Sequence, residues 1–307
     1  MKTLTLNKYL GPVPFYKEAL KIAVPVMAQA LIQTMVSLID NFMVSGLGDI
    51  KMSGVNITGQ ILFVFMVFLN TICMSGGIFM TQFSGANDRR GMQQAFCFKL
   101  MMGILAIIFY KYVCLVIPRQ FLSLMVKGNT QADLILDQGV AYMRLMAWIG
   151  IPMMISTVIA SSFREIGEVK APLVISVIAT LVNTFFNWVL IYGNLGFARL
   201  EVRGAAIATI IARSAEMGIF IVYLYVKKPP FVIHLIDLLK INFKLILEIL
   251  RKGWKILFGE MVWVLSETVT TALYNGRGGA DVVSGMSASF AIANLFFVAF
   301  GGITTAT

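Results

Sequence analysis

IAVPVMAQALIQTMVSLIDNFMV, residues 22–44, holds twenty-three positions and a single charge, Asp40. At 1.5 Å per residue a helix of that length reaches about 34 Å, enough to cross a hydrocarbon core of about 30 Å. The stretch is too long and too continuously apolar for a barrel strand, which alternates over about ten residues. Lys17 and Lys21 precede it, and Ala28-Gln29-Ala30 has the look of a signal cleavage site. Only the six residues 22–27 separate the last lysine from that site, whereas a signal peptide needs an apolar region of about 7–15. The stretch is therefore read as an uncleaved first spanning helix.

Seven further stretches have the same character: 55–83, 92–117, 139–163, 171–192, 204–226, 256–274 and 282–306. Composition agrees. The chain has 307 residues, 58% hydrophobic and 13% charged, against about 25% charged in soluble proteins. Its mean hydropathy is +0.83. These values exclude a soluble enzyme, a disordered regulator and a disulfide-stapled secreted domain. They also exclude a nucleic-acid binder despite the net charge of +10, because the cations sit in short segments between apolar runs. Such charge sets membrane orientation and meets anionic lipid. Fifteen of the Lys and Arg fall at the N-terminus and in the second-to-third, fourth-to-fifth and sixth-to-seventh connections, and six in the alternate ones. The N-terminus is thus expected in the cytoplasm of a bacterial inner membrane.

Residues 231–255 mix Leu235, Leu238, Leu239, Phe243, Leu245, Ile246 and Ile249 with Lys240, Lys244, Glu248, Arg251 and Lys252. The pattern predicts a basic amphipathic helix on the cytoplasmic surface, linking two halves. Sliding the chain by 231 residues brings Lys21 onto Lys252, Gly48 onto Gly279, Ser53 onto Ser284 and Gly54 onto Gly285. Six spans separate the two copies, so both share one orientation, as in transporters built from parallel repeats. The expected organisation is all-α: a six-helix transmembrane lobe over 1–226, a cytoplasmic amphipathic linker over 227–255, and the first two helices of an incomplete second lobe over 256–307. A full second copy would run to about residue 460.

Three segments carry a family resemblance. The first span and its exit read AVPVMAQALIQTMVSLIDNFMVSGLGD (23–49); the second ends GGIFMTQFSGANDRRG (76–91); the fifth carries VNTFFNWVLIYGNLGF (182–197), followed by GAAIATIIARS (204–214). Their order and spacing resemble the multidrug and toxic compound extrusion (MATE) family. The resemblance implies twelve helices in two lobes around a central cavity, of which this chain matches the first eight. It also implies cation-coupled antiport, with H⁺ or Na⁺ as coupling ion and amphipathic or cationic small molecules as substrates.

An ionisable residue inside a span is costly and points to function. Gln29, Gln33 and Asp40 recur on one face of the first span, with Val36 or Ser37 between them. A carboxylate there suits a site that exchanges a proton for a cation. The resemblance makes an acid at this place a coupling residue; the alternative is an interfacial Asp solvated near the helix end. Asn183 and Asn187, one turn apart on the fifth span beside Thr180 and Thr184, either join the cation site or serve as interhelical glue. Some family members carry an acid there. Arg213 and Glu216 are three apart and can pair; Arg213 otherwise acts on Asp40 by charge. Glu260 and Glu267 share a face of the seventh span with Trp263, Thr270 and Tyr274, and the resemblance makes them second-lobe cavity residues. Gln33, Met27, Met35 and Phe63 complete the candidate substrate cavity, since thioethers and aromatic faces accept varied apolar cations. Pro25 and Pro152 lie inside spans and are expected to kink them.

Cys73, Cys97 and Cys114 give no paired spacing, and the one histidine, His234, lies in the charged linker. Neither a metal set nor a nucleophile–base pair emerges, so no enzyme, metal or organic cofactor is expected. Membrane lipids are the other expected partner, nucleic acid is not, and the complete protein is expected to be a monomer. Two alternatives stand beside the antiporter: a lipid-linked oligosaccharide flippase of the same superfamily, and an inactive truncated membrane product. The flippase needs a basic central cavity, and Lys99, Lys111, Arg144 and Arg213 lie mostly near span ends.

Overall fold

The computed structural model describes residues 13–45, 49–125, 132–233 and 243–277. Among them there is no β-strand. The helices are α1 (Val13–Ser45), α2 (Asp49–Gly85), α3 (Arg89–Leu115), α4 (Pro118–Ser123), α5 (Ala132–Met146), α6 (Gly150–Glu165), α7 (Lys170–Tyr192), α8 (Glu201–Lys227) and α9 (Phe243–Arg277). The expected eighth span, 282–306, and His234 lie outside the described residues.

Helix ends follow local chemistry. Asp88 caps α3, its Oδ1 accepting from the Gly91 amide at 3.0 Å. α7 ends at Gly193, whose φ of 78° is the left-handed conformation that glycine adopts without a Cβ penalty. α2, α3, α7 and α8 are long and apolar enough to cross a membrane, and α5 with α6 make a fifth crossing if counted as one bent span. Phe109, Val222 and Tyr225 are well over half exposed on these helices, which suits lipid and not water.

Two expectations change. The fourth span is not one rod: α5 and α6 meet at a bend of 53°. Pro152 lies in the first turn of α6, where its missing N–H costs nothing. The Tyr110 hydroxyl donates to the Met146 carbonyl at the break, at 3.1 Å. At the other end, α9 runs unbroken through residue 255, where the linker was expected to give way to a span. Ile246, Ile249, Gly253 and Val264 are buried. Their spacing keeps one face of α9 inward across that position, so nothing interrupts the helix.

α2 is the central post and packs against α3, α5, α6 and α9. α1, α7 and α8 form a second group, joined to the first through α6 and α5 against α8. The core between them is built from large side chains, among them Phe98, Phe163, Phe220, Leu69, Met80 and Met143, all 2% exposed or less. Phe231, fully buried, plugs between Phe96 and Phe163, with ring centroids 5.1 and 5.3 Å away. One residue on, the Val232 carbonyl accepts from Gln93 Nε2 at 2.9 Å. The segment after α8 is thereby pinned to α3 and α6.

Candidate functional site

α7 and α8 run antiparallel in a fixed register. Ser176 meets Glu216, Asn183 meets Thr209 and the Leu190 carbonyl meets the Leu200 amide. The paired numbers sum to 392, 392 and 390, so the register holds over the length of the pair. Gly204 makes it possible: a Cβ there would stand 2.5 Å from the Leu190 carbonyl oxygen. Within this pair Asn187 Nδ2 donates to Asn183 Oδ1 at 3.1 Å, and Asn183 Nδ2 reaches Thr209 Oγ1 at 3.5 Å. Both asparagines are buried, at 1% and 6% exposure. Thr209 was not a sequence candidate, although Gly204 and Thr209 stand five apart in a run otherwise built of Ala and Ile.

α1 runs parallel to α7. Gln29 Nε2 donates to Ser176 Oγ at 2.7 Å, and the Tyr192 hydroxyl donates to the Met43 carbonyl at 3.3 Å. The offsets between partners are 147 and 149. Applied to position 40, they put it at the depth of residues 187–189 on α7, level with Asn187. Position 40 also lies three turns above position 29, on the same face of α1. The side chains of Gln33 and Asp40 lie outside the described residues.

Deeper in the lobe is a second polar group. Arg164 Nη1 donates to Gln29 Oε1 at 3.3 Å, Gln29 continues to Ser176, and Ser176 Oγ reaches Glu216 Oε1 at 3.5 Å. Arg213 Nη1 closes the line on Glu216 Oε2 at 2.8 Å, the i,i+3 pair expected from sequence. By register Arg213 stands level with residue 179, two turns or more below Asn187 and position 40. Its near partner is Glu216.

Next to this line, Lys99 of α3 pairs with Glu165 of α6 and also donates to Ser161 Oγ at 3.2 Å and Ser162 Oγ at 3.4 Å. Lys99 is wholly buried. It lies ten residues, about 15 Å, into α3, where only a carboxylate makes its charge tolerable. Sequence reading had no means to find its partner, because Glu165 is sixty-six residues away on another helix.

The other cavity candidates fall elsewhere. Phe63 of α2 meets Trp263 of α9 edge-on, with centroids 6.0 Å apart. Half-buried Glu260 and Glu267 flank Trp263 on α9, so they belong with the α2–α9 seam. Met27 is half-buried and Met35 exposed on α1. The candidates therefore divide into an α1–α7–α8 group, holding positions 33 and 40 with Asn183, Asn187 and Thr209, and an α2–α9 group.

The family profile MatE matches residues 25–189. The chain belongs to the MatE family. It is a multi-pass membrane protein of a family of multidrug efflux transporters. Relatives include the Thermotoga maritima protein named "Probable multidrug resistance protein NorM", 23% identical over 215 residues covering 70% of this chain and 45% of that one. The multidrug export protein MepA of Staphylococcus saprophyticus is 22% identical over 272 residues, covering 88% of this chain and 58% of that one. A MATE transporter structure in an outward-facing conformation superposes with a TM-score of 0.80 at 22% identity, over 94% of this chain and 62% of that one. The chain thus spans about half the length of these curated relatives.

Proposed function

We propose that this chain carries the first lobe and the start of the second of an antiporter that exports organic cations or other amphipathic compounds, in exchange for H⁺ or Na⁺, by alternating access. The membrane is the plasma membrane, the bacterial inner membrane, with the N-terminus cytoplasmic. Asp40, Asn183 and Asn187 form the coupling site, and Thr209 joins them. Gln33 and Met35 line the cavity near it, with Met27, Phe63, Arg213, Glu260 and Glu267 further out. Relatives named for multidrug resistance and export support the substrate class. The observation that supports the site is the register: Asn187 on α7 lies at the depth of position 40 on α1, with Asn183 and Thr209 about one turn below it.

A carboxylate among amides can hold a proton, a sodium ion or a substrate ammonium, but not all at once. That exclusivity is what couples two fluxes. The test is fluorescent organic cation transport in proteoliposomes under an imposed H⁺ or Na⁺ gradient. Asp40→Asn is expected to insert normally and to lose gradient-driven transport by at least about tenfold. Full gradient-driven transport in Asp40→Asn would refute the assignment.

A further inference from the structure

The coupling site depends on where α1 stands, and α1 is held in an economical way. It packs chiefly along α7 and approaches α2 only slightly. At Pro25 it lacks the amide that would bond the Lys21 carbonyl, so the helix is weak there. One turn later comes Gln29, buried, with both ends of its carboxamide engaged. Oε1 accepts from Arg164 of α6 and Nε2 donates to Ser176 of α7.

A guanidinium only donates, so the oxygen of Gln29 must face Arg164. Flipping the amide would set N–H against N–H on that side. With Gln29 donating to it, the Ser176 hydroxyl proton points to Glu216, and Arg213 holds the far oxygen of that carboxylate. Every hydrogen bond in the line runs one way, from Arg164 to Glu216, and four helices contribute to it. Of the two hydrogen bonds described between α1 and α7, that from Gln29 to Ser176 is buried and made by two side chains. The Met43–Tyr192 bond higher up is exposed.

We propose that Gln29 is a positioning residue for coupled transport: its carboxamide fixes the register of α1 on α7 and so keeps position 40 level with Asn187. A slip of one residue moves position 40 by about 1.5 Å and turns it by about 100°, away from the side of α1 that Gln29 holds against α7. Gln29 itself stands three turns below that level and touches neither ion nor substrate there. The transport half of this inference rests on the antiport reading above; the register half does not.

Two measurements test it. The first is the distance distribution between spin labels at Leu31 of α1 and Leu181 of α7, both exposed, in the reconstituted protein. Gln29→Leu, which keeps bulk and removes both hydrogen bonds, is expected to broaden the distribution or shift it, because a slip of one residue turns position 31 by about 100° about the α1 axis. Gln29→Glu, which accepts from both Arg164 and the Ser176 hydroxyl, is expected to keep it. The second compares equilibrium binding of a fluorescent organic cation with its gradient-driven transport. Gln29→Leu is expected to bind within about threefold of the parent while transport falls at least about tenfold, and Gln29→Glu to restore it. An unchanged distribution in Gln29→Leu overturns the proposal whatever transport does. A shifted distribution with parental transport overturns its functional half. If the parent protein exchanges nothing, the antiport reading fails, and the spin-label result alone decides whether Gln29 sets the register.

Discussion

Replacing Lys99 by methionine isolates the energetics of the buried pair in the first lobe. Lys99 is wholly buried and Glu165 is 15% exposed, and both lie within packed helices. Removing one partner of such a pair leaves an uncompensated charge, which costs about 3–5 kcal/mol where the survivor is fully buried. Glu165 keeps some solvent, and the neighbouring Arg164 offers a second cation, so the lower end, about 3 kcal/mol, applies. That is about a 150-fold change in the folded-to-unfolded ratio. Lys99→Met/Glu165→Gln removes both charges and should recover most of the loss, because an apolar or neutral replacement of a whole buried pair is often close to neutral. The assay is reversible unfolding in mixed micelles of increasing denaturing detergent, run as a double-mutant cycle with Glu165→Gln. A coupling energy of about 2 kcal/mol or more is expected. If the two single changes simply add, or if Lys99→Met alone is neutral, Lys99 and Glu165 do not hold α3 and α6 together as described.

Two further outcomes follow from close approaches between helices. Gly204→Ala sets a methyl 2.5 Å from the Leu190 carbonyl oxygen, and backbone cannot swing aside, so the α7–α8 pair should separate; thermal stability should fall well below that of the control Gly59→Ala, whose new methyl meets nothing within 4 Å. Gly253→Ala would meet Ser75 Oγ at 2.6 Å and Cβ at 2.7 Å, pushing α9 off α2. Ser75→Gly should rescue it and Ser75→Ala should not, because the alanine keeps the clashing Cβ; equal rescue by both, read as melting temperature in detergent, would refute the packing.

Much of the fold was legible in the chain. Hydropathy and length located the long helices, since each run exceeds what a soluble core needs and matches what a bilayer demands. The Arg213–Glu216 pair was legible for a simpler reason: residues three apart share a helix face whatever surrounds them. The bend between α5 and α6 was not, because Pro152 suggested a kink at the proline, whereas the helix breaks before it and restarts with the proline in its first turn. Charge density suggested that α9 would change character near residue 255, but burial follows which face meets α2, and Lys252 and Lys255 stay on the exposed side.

For the site, the helix order and the polar face of α1 were legible in the chain alone, because they rest on local periodicity and on which residues a membrane tolerates; the family resemblance came from the order and spacing of its motifs. The sequence also supplied Asn183 and Asn187 as a pair one turn apart. Only the tertiary structure decided that Thr209 joins them, that Gln29 ties α1 to α6 and α7, that position 40 stands level with Asn187, and that Glu260 and Glu267 lie with a different helix pair. The physical reason is that each spanning helix can slide along and turn about its own axis with little change in hydropathy, since lipid and protein interior are equally apolar. What settles depth and rotation is a small set of cross-helix contacts: a glycine under a carbonyl, a lysine finding its glutamate, a glutamine held from both ends.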